Sequence, residues 1–162
     1  MHFSVKSAAV SLFLMIGFAL PVHAQNNKPI RSGDWYEDRA SFSSTGGSSM
    51  SLNFSQSPTD KFLNVTHVTC YIQTLTSQVL QDVELYVGTT SGSGDLLRPM
   101  FIRGTMSPEI GQRKHYGINT DAVYFKMGPG RYPSIYINTD SATSGLFSIS
   151  ANCTIVGNLT DN

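Results

Sequence analysis

Along most of this chain apolar and polar residues alternate with a period of two. The clearest run lies near the C-terminus, where Phe147, Ile149, Ala151, Cys153 and Ile155 interleave with Ser148, Ser150, Asn152 and Thr154. Successive side chains of a strand point to opposite faces, so this spacing predicts a strand with one face in a core. A second run begins at residue 79: Val79, Val83, Leu85 and Val87 hold odd positions, with Asp82 and Glu84 between them. A helical reading of Leu75, Val79 and Val83 fits fewer positions. Further strands are predicted over 49–55, 65–74, 96–103, 114–119, 122–127 and 134–139. The stretches between them, GTTSGSGD (88–95), GPG (128–130) and DSATSG (140–145), hold the residues that favour turns. Many short strands without a convincing amphipathic helix predict an all-β domain, a two-sheet antiparallel sandwich of which the jelly roll is one arrangement.

The first residues break this pattern. Lys6 precedes a run of 13 apolar or small residues at 8–20, followed by Val22-His23-Ala24 and then polar sequence. This is the layout of a secretory signal peptide cleaved after Ala24, and the run is too short to span a bilayer. Residues 1–24 are therefore read as a leader, 25–48 as a partly irregular N-terminal segment, and 49–162 as the β-sandwich domain. A secreted or periplasmic location follows, with no membrane insertion of the mature chain.

Charge narrows the partners. Without Lys6 the mature part holds ten Lys and Arg (eleven less one) against eleven Asp and Glu, scattered with no block of one sign. No basic stripe is available for nucleic acid. An oxidising compartment gives the two cysteines a role, because Cys70 is in phase with Val68 and Ile72, and Cys153 with Ile149 and Ile155. Both thiols face the same interior and are expected to form a structural disulfide. A catalytic thiol would need exposure and an electropositive setting instead.

Catalytic signatures are lacking. The sequence contains no G-x-S-x-G, H-E-x-x-H, C-x-x-C or phosphate-loop pattern, and the GPGRYP stretch reads as a tight turn. Outside the leader there are two histidines, His67 and His115, neither with a second ligand at metal-binding spacing; His67 is out of phase with Cys70 and is expected at an exposed strand position. The tetrapeptide INTD occurs at 118–121 and again at 137–140. Two such loops brought together would offer oxygens to calcium, whereas the plainer reading is that Asn and Asp end a strand by bonding their own backbone. Four Asn-x-Ser/Thr triplets are what chance gives in a chain this rich in Ser and Thr. No enzyme activity, cofactor or metal is expected.

Aromatic residues carry the remaining signal. Tyr71, Tyr86, Tyr124 and Tyr136 each alternate with core-facing aliphatic residues, so each is expected on the outward face of its strand. Flat rings with a polar tip suit sugar stacking and protein interfaces. Their ordinary role is as strand formers covered by a loop or by the segment holding Trp35 and Tyr36. The functional expectation is a binding module for saccharide or cell-envelope glycan, or, as the alternative, an assembly protein that associates with another protein through the same aromatic face.

Overall fold

A computed structural model describes residues 28–121, 123–143 and 148–161. The leader 1–24, Ala122 and Phe147 lie outside the described residues. Eleven strands are formed: β1 (Ile30–Ser32), β2 (Trp35–Ser43), β3 (Gly47–Asn53), β4 (Phe62–Leu75), β5 (Leu80–Gly88), β6 (Met100–Phe101), β7 (Thr105–Ile110), β8 (Arg113–Thr120), β9 (Phe125–Met127), β10 (Tyr132–Thr143) and β11 (Ile149–Thr160). No helix occurs among the described residues.

The strands make two antiparallel sheets packed together. The seven-stranded sheet runs β1-β2-β11-β4-β8-β7, with β9 pairing β4 beyond the end of β8; the four-stranded sheet runs β3-β10-β5-β6. Their inner faces supply one core: Leu63, Val68, Ile72, Ile149 and Ile155 from the larger sheet, Leu52, Val83, Leu85, Ile135 and Ile137 from the smaller. Burial of these alternate positions drives the sheets together at roughly 25 cal/mol per Å² of apolar surface removed from water. Cys70 and Cys153 face each other across β4 and β11, their Cα atoms 4.1 Å apart, and are joined by a disulfide.

Three elements depart from the sequence expectation. Strand β2, in the segment read as partly irregular, lies beside β11 in the larger sheet. Its buried positions are Tyr36, Asp38 and Ala40, so a carboxylate takes a core position while Trp35 stands exposed on the other face, and the hydropathy alternation is broken at both. Asp38 is buried because it accepts hydrogen bonds from Ser55 N (2.7 Å) and Arg39 N (2.9 Å). Desolvation still pushes its carboxyl above the ordinary range. Strand β7 is exposed at every position and carries Pro108, which leaves no period to read and blunts a sheet edge. The strand expected over 96–103 shrinks to the two residues of β6, and Val79, placed by parity in a core strand, is exposed ahead of β5.

Candidate functional site

Parity on the smaller sheet sets the outward residues: Ser49, Ser51 and Asn53 on β3; Ser134, Tyr136 and Asn138 on β10; Asp82, Glu84 and Tyr86 on β5. Register then arranges them in rows. Asn53, Ser134 and Tyr86 form one row, Ser51, Tyr136, Glu84 and Phe101 the next, and Ser49, Asn138 and Asp82 the third. Tyr86 and Tyr136 are therefore diagonal neighbours. Their ring centroids are 6.4 Å apart with planes at 88°, the edge-to-face arrangement favoured by the ring quadrupoles. The Glu84 carboxylate, by drawing a hydrogen bond from it, pushes the Tyr86 phenol above its ordinary pKa.

A loop closes one side of this pair. Residues 89–95 fold back so that a Cβ on Gly94 would lie 3.5 Å from the Tyr86 ring; Gly92 and Gly94 both have positive φ (73° and 55°). Asp95 holds the loop by accepting bonds from Thr89 N (2.7 Å), Thr89 Oγ1 and Ser93 Oγ (2.6 Å). Those donors, Ser93 and Thr89 foremost, lower the Asp95 carboxyl to about 2. A depressed folded-state pKa means that the tether is complete above the ordinary carboxylate range and is lost only as pH falls through about 2. Between loop and sheet lies a hollow of about 290 Å³ lined by Ser51, Ser93, Ser134, Gly92, Gly94 and the two tyrosines. Hydroxyls and backbone beside flat rings offer hydrogen bonds at the rim of an apolar surface, the pairing that a sugar presents on its edges and faces.

Gly88 lets the loop sit there. A Cβ on Gly88 would come within 2.3 Å of Ser93 Oγ, 2.9 Å of Gly94 N and 3.0 Å of Thr90 O. Gly88→Ala is expected to push the loop off Tyr86 and free residues 89–95, and to change stability by about 1 kcal/mol or less, since the displaced segment is exposed. Amide exchange over residues 89–95 alongside denaturant unfolding checks both halves.

The four tyrosines do not share one face. Tyr71 is on the outer face of the larger sheet, 52% exposed, its hydroxyl 2.5 Å from His115 Nδ1 and accepting from Gln73 Nε2 at 3.1 Å. Tyr124 precedes β9 rather than lying in a strand, and is 90% exposed. Only Tyr86 and Tyr136 are brought together. His67 is exposed, as its phase indicates, and bonds Thr66 Oγ1.

The two INTD stretches lie in different sheets, the first ending β8 and the second within β10. Asp140 is engaged by Val79 N at 2.7 Å and Ser141 Oγ at 3.1 Å, and the Val79 amide lowers its carboxyl. Among the described residues no three His, Cys, Asp or Glu side chains gather as a metal site, and no helix is long and apolar enough to cross a membrane.

A larger cleft of about 500 Å³ opens where short β6 leaves the β5 edge uncovered. Leu80, Val83, Phe101, Ile102, Met106 and Tyr116 line it, with Asp82 and Arg103, but it lacks the edge-to-face tyrosine pair and its serine hydroxyls. Sequence reasoning missed Glu84, Phe101 and the serines as neighbours of the tyrosine pair, because cross-strand register is invisible in a single strand's pattern.

The chain matches no protein-family model, no curated protein and no solved structure.

Proposed function

We propose that this chain is an exported β-sandwich binding module that takes saccharide on the Tyr86–Tyr136 ring pair. The observation that carries this reading is the edge-to-face pair bordered by serine hydroxyls and by a loop tethered through Asp95. Preorganised rings and donors lose little entropy when a ligand is bound. Export is supported by the leader-like residues 1–24 and by the disulfide, a bond that persists in oxidising compartments. Recovery of the chain outside the cytoplasm with Gln25 as its first residue would establish it.

Tyr86→Ala and Tyr136→Ala should each cost about 1–3 kcal/mol of glycan binding, the range for a packed aromatic anchor. Stability should change by about 1 kcal/mol, because both rings are half-buried on an outer face and leave no core cavity. Glycan-array and calorimetric binding, paired with unfolding curves, test this. Unchanged binding in both variants would reject the reading.

A second reading, association of copies or subunits through the same face, is favoured by Phe101, which is 64% exposed at its edge. Sedimentation separates the two. A monomer that binds glycan excludes assembly through the rings, whereas an oligomer dissociated by Tyr136→Ala supports it.

A further inference from the structure

Glu84 points outward from β5 yet is only 9% exposed. Its cross-strand neighbours are Tyr136 on one side and Phe101 on the other, and its neighbours along the strand are Asp82 and Tyr86. Three aromatic rings thus surround a carboxylate on an open sheet face. Neither Glu84 nor Asp82 has an ion-pair partner among the described residues, where the salt bridges are Lys61–Asp161 and Lys114–Glu109. The other outward groups of the three rows, Ser49, Ser51, Asn53, Ser134 and Asn138, carry no charge. Arg103 lines the neighbouring cleft beside Asp82.

Glu84 accepts a hydrogen bond from the Tyr86 phenol but faces no cation, and a carboxylate so far withdrawn from water gains more from a charged donor than from a neutral one. Ring faces add attraction for the same charge, since their quadrupoles are negative above the plane. Anionic ligands meet the reverse situation, since the three rows hold two carboxylates and no Lys or Arg. Glu84 lies on the other diagonal of the ring pair from Ser134, and adjacent strands are about 4.8 Å apart. A sugar chain lying across the rings from the serine-lined hollow therefore reaches Glu84 with its next residue.

We propose that the saccharide bound at this face carries a protonated amine, seated on Glu84 between the rings of Tyr136 and Phe101, so that the preferred ligand is an amino sugar with a free ammonium group. This inference rests on the saccharide reading of the ring pair. A charge-assisted hydrogen bond to a carboxylate is stronger than a neutral one, and N-acetylation removes the charge and adds bulk at the same atom.

The test is calorimetric titration with a glucosamine tetramer and its fully N-acetylated counterpart, at mildly acidic pH where the free amine is protonated. The parent protein should prefer the free amine by about tenfold or more, and Glu84→Gln should remove the preference while still binding the acetylated oligomer. Equal affinity of the parent for both oligomers would overturn the amine inference and leave saccharide binding standing. Binding of neither would overturn both. A preference that survives in Glu84→Gln would show that the carboxylate is not its seat.

Discussion

Reduction of the Cys70–Cys153 bridge, or Cys153→Ala, is expected to lower the unfolding free energy by about 4–5 kcal/mol, the chain-entropy value for a loop of this length. The two cysteines are separated by 83 residues, so opening the bond restores to the unfolded chain the freedom of half the protein. Cys153 is fully buried, and Ala in its place adds a small loss of packing. The sulfurs lie between strands of the larger sheet, whereas the ring pair is on the outer face of the smaller one, so a folded variant should retain its ligand affinity. Denaturant unfolding with and without reductant, followed by binding at a denaturant-free point, measures both. An unshifted midpoint would reject the structural role, and lost affinity in a folded variant would return the cysteines to the functional residues.

The cysteine pair was legible because apolar inward positions flank each cysteine in its strand, Val68 and Ile72 around Cys70 and Ala151 and Ile155 around Cys153. Parity there is unambiguous, and it places the outward Tyr86 and Tyr136 equally well. The same logic fails at β2, where the core position 38 is an aspartate made tolerable by the backbone N–H groups of Ser55 and Arg39, contributed partly by a distant segment. It fails at β7 because an edge strand has no buried face to select apolar residues. Tyr71 shows a third limit. Its outward direction was readable, but whether two outward faces belong to one sheet depends on strand order, which local pattern does not encode. Thus the ring pair was half visible: each tyrosine's orientation came from its own strand, and their meeting, along with Glu84 and Phe101 beside them, came from register.

Gly157→Ala should destabilise the fold by about 3 kcal/mol, the upper end of what overpacking costs. Added to Gly157, a Cβ would lie 2.2 Å from Asn64 O, 2.9 Å from Asn64 C and 3.0 Å from Val65 Cα. All three atoms are backbone, so no side-chain rotation relieves the overlap. The close approach belongs to a β-bulge: pairing steps from Val156↔His67 to Gly157↔Val65, leaving Thr66 unopposed. That extra residue reverses the phase of β4, so that Leu63 and Val65 face the core before it and Val68, Cys70 and Ile72 after it. At the same point β4 changes partner from β8 to β9, and Thr66 O accepts from Val123 N at 3.1 Å. Forcing β11 away here should loosen β9 first, read as faster amide exchange at Phe125, Lys126 and Met127 together with a lowered unfolding midpoint. Gly117→Ala is the matched control in β8, since its Cβ would meet only Thr105 Oγ1 at 4.0 Å and should leave stability within about 0.5 kcal/mol of the parent. If the two alanine variants unfold alike, the close packing of β11 on the bulge is not what makes position 157 glycine.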